Sequence, residues 1–172
     1  MAITTAEIEF RLSGGAANVN PNAALGGAMS TVAGGVITSG ALNNLFDNVS
    51  GDEALAGDIE YRAFYVQQRN ATLTWTAVKA WIATLSPSPD TVFAISLATE
   101  GKNGTMQSVA NEATSPAGQT FSSPITKSGG LAVPDLAPNE FIGVWLRRTV
   151  SAAAAAIASD GPTIRIEGDT PA

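Results

Sequence analysis

The sequence predicts an all-β fold: an antiparallel β-sandwich, Ig-like or jelly-roll-like, with an extended N-terminal segment. First, apolar and polar residues alternate in several stretches, which is the period of a strand with one buried face. Second, clusters of Gly, Pro and Asn separate these stretches, as turns do. Third, scarcely any stretch has a helical period. Many short strands joined by turns are typical of an antiparallel sandwich or barrel.

The first strand is predicted in "AEIEFRLS", where apolar residues alternate with charged ones. Residues 13–35 follow, made mostly of Gly, Ala, Asn and Ser. They have no period and little to bury, which indicates a long loop or arm. We therefore divide the chain into residues 1–35, a strand with an arm or long loop, and residues 36–172, the β-sandwich domain.

A short helix is predicted within "LFDNVSGDEALAG". Ser50 with Glu53 three residues later forms a capping-box pattern, and Gly57 can end the helix. The same stretch holds oxygen ligands suited to Ca²⁺, but their spacing does not fit an EF-hand loop. A capped helix with acidic residues in its first turn explains them without metal. We predict no metal site, and calcium bound by Asp47, Asp52 and Glu53 stays the alternative.

Further strands are predicted in "GVITSG", "DIEYRAFYVQQ", "TLTWTAVKAWIATL", "TVFAISLATE", "EFIGVWLRRTV" and "TIRIEG". In the third of these, Trp75 and Trp81 are predicted on one face with Lys79 between them. The last two are predicted to form a pair. The alanine-rich "SAAAAAIASDG" between them is then a hairpin connection with at most one helical turn, because so short a helix is marginal in water.

Composition excludes several classes of function. The 172 residues include no Cys and no His, which removes disulfides, thiol catalysis and the commonest general base and zinc ligand. The net charge of −6 argues against binding a nucleic-acid backbone. The N-terminus lacks signal-peptide character, and no apolar stretch is long enough for a membrane span. We predict a protein without cofactor that is not an enzyme, since the remaining carboxylate pairs are typical of solvated strand faces.

The strand "EFIGVWLRRTV" is apolar on both faces. This pattern fits either a central sandwich strand or a strand with one face against another subunit. Adjacent arginines on a strand point to opposite faces, so one can pair inward while the other reaches a neighbouring chain. For the tryptophans a place in the core is the alternative to an interface, and for the arginines pairing with local acids such as Glu140 or Glu167. The interface candidates are Arg147, Arg148, Trp145, Trp75, Trp81 and Tyr65.

Three segments together resemble small virion structural proteins of tailed bacteriophages. They are "LFDNVSGDEALAGDIEYRAFYVQQRNATLTWTAVKAWI", "EGKNGTMQSVANEATSPAGQTFSSP" and "LAPNEFIGVWLRRTVSAAAAA". The likeness covers most of the chain from about Leu45 onward and involves no active-site motif. Such proteins are typically β-sandwiches that decorate the capsid, often as trimers around local symmetry axes, and others of similar size belong to the tail.

The resemblance implies a capsid decoration, or cement, protein. It would bind the major capsid protein, stabilise the head and form a homo-oligomer, with a trimer favoured. Its location would be the capsid surface of the virion after synthesis in the host cytoplasm, with neither nucleic acid nor membrane as a partner. The alternative is a tail-associated or surface-displayed module that binds a receptor or glycan, with Trp75 or Tyr65 as a stacking platform.

Overall fold

The computed structural model describes residues 2–170 and shows an all-β fold of two antiparallel sheets. Within these residues the one α-helix is α1, Gly51–Ala56, which begins with the predicted capping box of Ser50 and Glu53 and ends at Gly57. The strands are β1 (Ile8–Leu12), β2 (Asp58–Gln68), β3 (Thr76–Thr84), β4 (Thr91–Leu97), β5 (Leu131–Ala132), β6 (Phe141–Val150) and β7 (Thr163–Asp169). Single-turn 3₁₀ helices occur at Thr5–Glu7, Pro21–Ala23 and Ala33–Gly35.

The larger sheet has the order β1-β2-β6-β4, and the smaller sheet has the order β5-β3-β7. From β2 onward, each successive strand lies in the other sheet. β6 and β7 are therefore not a pair, and the prediction of a hairpin between them is wrong. The alanine-rich connection crosses from one sheet to the other and contains turns but no helix.

The inner face of the larger sheet packs on the smaller sheet. Alternation along β2, β4 and β6 turns residues such as Phe64, Ile95 and Val144 toward this interior. Val78 and Ile82 of β3 meet them from the opposite side. The predicted alternation of β1, β2, β4 and β6 is confirmed, because each has one face in this core.

The outer face of the larger sheet is covered by two long loops, residues 13–35 and residues 99–126. Its side chains form a second apolar cluster around Trp145, which is fully buried. One hydroxyl joins both loops to the sheet: Tyr65 Oη donates to the Gly27 carbonyl over 2.6 Å and accepts from the Met106 N–H over 2.8 Å. β6 is therefore a central strand with both faces covered by its own chain.

Residues 13–35 form a loop that is packed on the larger sheet. Ser13 Oγ donates to the Ala63 carbonyl over 2.8 Å, and Ala63 N–H donates to the Ala24 carbonyl over 2.8 Å. Gly26, with φ of 88°, lies so close to the Gln107 carbonyl that a Cβ atom would collide with it. Since β1 also belongs to the larger sheet, β1 and residues 13–35 share a core with the rest of the described chain.

The alternation predicted for "TLTWTAVKAWIATL" is wrong at its N-terminal half. Trp75 lies before β3 and packs in the inner core, whereas Trp81 lies on the opposite face beside Arg165. The cause is a register shift between Thr76 and Lys79, where Ala77 has φ of 51°. A bulge of this kind reverses the face of every residue on one side of it.

"GVITSG" forms an isolated bridge between Arg11 and Val36 instead of a strand. Among the described residues, none of the helices has the length and apolar character needed to cross a membrane.

We expect the change Tyr65→Phe to lower the free energy of unfolding by about 1–3 kcal/mol, because it leaves the buried Gly27 and Met106 backbone groups without their partner. Tyr61→Phe is the matched control: Tyr61 lies on the same face against Phe121, and its hydroxyl has no hydrogen bond within the described residues. Urea unfolding of both variants measures the difference. Equal losses in the two variants would contradict the role assigned to the Tyr65 hydroxyl.

Candidate interaction site

A cleft of ≈ 1080 Å³ lies at one end of the sandwich. One wall is formed by residues 39–51 and the other by residues 153–164. The floor is the inner face of the larger sheet, including Phe93, Leu146 and Arg148. We call this concavity the end cleft. It has the size and mainly apolar lining of sites that bind other molecules.

Large apolar side chains are exposed at the rim of the end cleft. Leu42 and Leu55 are 74% and 73% exposed, and Ile157 is 39% exposed. Small alanines allow the second wall to lie close to α1: Ala153 and Ala154 N–H donate to the Leu55 and Ala54 carbonyls over 3.3 and 3.0 Å. Grouped apolar exposure of this kind marks surfaces that contact other molecules.

Buried charges lie at and beside the floor of the end cleft. Glu60 and Arg62 of β2 are 1% and 0% exposed, and Arg148 of β6 is 5% exposed. β2–β6 pairing sets Glu60 directly opposite Arg148, and the two form a close ion pair. Because an unpaired buried charge is strongly destabilising, this register gives the Arg148 guanidinium an anion within the sheet itself.

The arginines also hold the first wall in place. Arg62 Nε donates to the Leu45 carbonyl over 3.2 Å, and Arg148 Nη1 donates to the Asp47 carbonyl over 2.8 Å. The Phe46 ring lies between these two contacts, with the Arg62 and Arg148 guanidinium carbons 5.7 and 4.8 Å from its centroid. We call this arrangement the Phe46 clamp. Backbone hydrogen bonds and cation–π contacts thus attach residues 45–47 to the sheet.

A cluster of carboxylates surrounds the same arginines. Among residues 2–170, Asp47, Glu60 and Glu112 each place one oxygen within 4.8 Å of the others, a spacing that a metal ion could use. However, Glu60 pairs with Arg148, and Glu112 pairs with Arg62. The guanidinium groups supply the positive charge that the acids require, so this donor set does not fit a resident cation.

The structure also separates the acids of the calcium alternative. Asp52 and Glu53 lie in the first turn of α1, where Glu53 closes the capping box with Ser50. Asp47 lies instead at the Phe46 clamp, 3.6 Å from Arg148 Nη2. The residues Asp47, Asp52 and Glu53 are therefore not brought together as one ligand set.

Burial raises the pKa of the Glu60 carboxyl from its usual 4.5 to about 7. Arg148 opposes the shift by attraction and hydrogen bonding, whereas the negative charges of Asp58 and Glu112 add to it. One Glu60 oxygen, Oε1, is buried without a hydrogen-bond partner within the described residues, which is consistent with a poorly solvated carboxylate. Glu60 therefore changes charge near neutral pH.

Arg148, predicted to contact a partner, is used inside the chain. The acids that pair with it are Glu60 and Asp47, and neither Glu140 nor Glu167, the local acids predicted from the sequence, does so. Arg147 points to the outer face, as the alternation requires, and its guanidinium carbon lies 5.3 Å from the Phe121 ring centroid. It is half-buried under the loop of residues 99–126.

The aromatic interface candidates are core residues. Trp145 and Tyr65 are fully buried, and Trp75 and Trp81 are 5% and 6% exposed. Trp145 and Tyr65 are covered by the two long loops, Trp75 lies between the sheets, and Trp81 is partly covered by Arg165. In the single chain these four side chains therefore offer little exposed surface to a partner.

Sequence reasoning missed Phe46, Glu60, Arg62 and Glu112. A signal for two of them was present, since Glu60 and Arg62 lie at two-residue spacing from Phe64 and Val66 and therefore share the face that enters the core. Charged residues at core-facing positions need buried partners. Phe46 and Glu112 lie in irregular segments, where periodicity gives no information.

Comparison of the chain with protein-family models, with curated proteins and with solved structures found no match.

We expect Phe46→Leu to loosen the Phe46 clamp, because leucine keeps apolar volume but has no ring to contact the two guanidinium groups. Cation–π contacts contribute about 0.5–2 kcal/mol each, so the loss should appear as faster amide exchange in residues 39–50. Phe46→Tyr, which keeps the ring, is the control and should exchange like the wild type. Unchanged exchange in Phe46→Leu would contradict the clamp.

We expect Glu60 to make the protein less stable as pH rises from about 4.5 to about 7. The raised pKa means that the folded state binds a proton more tightly than the unfolded state, so stability from this group is greatest below 4.5 and is lost through the pKa of about 7. Glu60→Gln removes this contribution. The wild-type minus variant difference in unfolding free energy, measured in urea at several pH values, should fall across that range by at most about 3 kcal/mol. A difference independent of pH would exclude the shift.

Proposed function

We propose that this chain is a non-enzymatic virion structural protein, a capsid decoration or cement protein that binds the major capsid protein and stabilises the head. The observation that carries the proposal is the end cleft, where exposed Leu42, Leu55 and Ile157 surround an apolar concavity. Resemblance of three segments to tailed-phage virion proteins supports the choice of partner. The same resemblance supports a homo-oligomer on the capsid surface, with a trimer favoured.

The organisation of the end cleft fits a permanent contact with another protein. Its walls are held from below by the Phe46 clamp and from the side by hydrogen bonds between the alanine run and α1. A held surface loses little conformational freedom on binding. The exposed leucines then supply apolar contact, which is what dominates the buried centre of an interface.

The alternative is a tail-associated module that binds a receptor or glycan. Trp75 and Tyr65 are too buried to act as its stacking platforms. The end cleft offers another place, since Asn43, Asn44 and Asn48 line it and amide side chains can both donate to and accept from sugar hydroxyls.

The test is co-sedimentation of the purified protein with empty capsids that lack it. We expect saturable binding at a fixed ratio to the major capsid protein. Leu42→Asp and Leu55→Asp should each raise the half-saturating concentration about tenfold or more, because a charge is forced into an apolar contact. Val19→Asp is the matched control: Val19 is 57% exposed and lies outside the end cleft.

Each result decides a separate point. Saturable binding that is unchanged in both leucine variants would support the decoration role but would exclude the end cleft as the surface that binds the capsid. Absence of binding, with the protein nonetheless present in intact virions, would overturn decoration and favour the tail. A glycan array is then the next measurement, with Asn44→Ala as the variant.

A further inference from the structure

β7 is a seven-residue strand with a free edge. Its one strand neighbour is β3, and within the described residues no backbone hydrogen bond joins its other edge to any segment. At its end, Ile3 N–H donates to Thr170 Oγ1 over 3.1 Å, but this bond lies beyond the strand. An uncovered edge presents unpaired N–H and C=O groups that can pair with another strand.

The other long outer strands do not share this property. The outer edge of β1 is covered where Phe10 O accepts from Ile37 N–H over 2.8 Å. β4 is covered where Ile95 exchanges backbone hydrogen bonds of 2.8 and 3.0 Å with Ser122. The chain thus covers two of its outer strands with its own loops and leaves β7 open.

The bonds of β3 determine which groups of β7 face outward. Val78 O accepts from Val133 N–H, and Ile82 N–H donates to Pro124 O. The backbone N–H and C=O groups of the even-numbered residues of β3 therefore point away from β7. The odd-numbered residues therefore bond to β7, and Lys79 pairs with Glu167 and Trp81 with Arg165. Because bonding direction alternates along a strand, the outward backbone groups belong to Ile164, Ile166 and Gly168.

We propose that β7 pairs antiparallel with β7 of a second copy of this chain, about a twofold axis at Ile166. The charge pattern of the edge favours this pairing. Antiparallel pairing centred on Ile166 places Arg165 of each copy opposite Glu167 of the other, which gives two opposite-charge cross-strand pairs. The free N–H and C=O groups of Ile164, Ile166 and Gly168 then form about six backbone hydrogen bonds between the copies.

The charges select this register over its neighbours. If the axis passed through Glu167, the Glu167 carboxylates of the two copies would lie opposite each other. If it passed through Arg165, the two Arg165 guanidinium groups would do so. Like charges directly opposite each other are destabilising. A shift by a single residue would turn the apolar face of one strand outward. The register at Ile166 avoids all three costs.

The apolar face of the strand is also continuous across this axis. Ile164 and Ile166 are half-buried and pack against the core between the sheets. In the proposed pair Ile166 of one chain lies beside Ile166 of the other, so the apolar layer continues from one sandwich into the next. The result is a six-stranded sheet formed from the two smaller sheets. This inference does not depend on the proposed function, and the twofold pair is a different oligomer from the trimer that the resemblance favours.

The same charges could instead keep the edge unpaired, as charged residues on edge strands often do. In the single chain Arg165 Nη2 lies 3.2 Å from Glu167 Oε2, and Lys127 Nζ lies 2.7 Å from Glu167 Oε1. What distinguishes the two roles is self-association, because protection by charge predicts a monomer whereas complementary pairing predicts a dimer.

The test is sedimentation velocity of the full chain over a wide concentration range. We expect the wild type to form a dimer, and Arg165→Glu and Glu167→Arg each to lose it because their copies face each other with like charges. An equimolar mixture of these two variants should form a heterodimer, since Glu at 165 then faces Arg at 167 and Arg165 faces Glu167. Restoration in the mixture cannot come from contacts within one chain.

A second variant protects the test against misfolding. Ile166→Pro removes an outward N–H and leaves the β3 bonds in place, so circular dichroism should stay native while the dimer is lost. In the wild-type dimer the amides of Ile164, Ile166 and Gly168 should exchange more slowly than in the monomer.

A wild type that stays monomeric at every concentration would overturn the proposal. So would a dimer that persists in Ile166→Pro and in each charge variant alone, because its contact would lie elsewhere.

Discussion

Two arginines on the apolar face of a sheet are the constraint on which much of this structure depends. Arg62 and Arg148 lie where the alternation of β2 and β6 would otherwise place core residues. A buried guanidinium group must have acceptors, since its desolvation costs several kcal/mol. The chain supplies them from three places: Glu60 in the sheet, the carbonyls of Leu45 and Asp47, and Glu112 from the outer loop. Segments far apart in sequence are thereby drawn to one end of the sandwich.

This constraint also explains why the end cleft exists. Residues 45–47 are held at the sheet by backbone carbonyls and a phenyl ring, so they form a wall without filling the space beside it. The alanine run forms the opposite wall with side chains too small to close the gap. A surface held in this way would lose little conformational freedom on binding, which supports the proposed assembly role.

The strands were predictable where one physical period governed them. β1, β2, β4 and β6 follow strict alternation, and the capping box of Ser50 and Glu53 is local enough to be recognised in four residues. The bulge at Ala77 was not predictable, because a positive φ at alanine is imposed by tertiary packing. The crossing from β6 to β7 was not predictable either, since a hairpin and a crossover leave the same pattern in the two strands.

The candidate site was less predictable than the fold. Tryptophan and arginine have the same sequence signature in a core as at an interface, and for Trp145 and Arg148 burial decided for the core. The residues that form the end cleft, such as Leu42, Leu55 and Phe46, lie in segments without a period. Their importance arises from which distant segment lies beside them, and only the three-dimensional structure gives that information.

The pairing of β2 with β6 has a consequence for biosynthesis. Asp58 pairs with Val150 and Gln67 with Phe141, so the central ladder of the larger sheet cannot form until most of the chain has left the ribosome. Contacts between residues so distant in sequence close large loops and make folding slow. During that interval β2 exposes an apolar face that also carries the charged side chains of Glu60 and Arg62, and charged side chains on an unpaired strand disfavour premature aggregation.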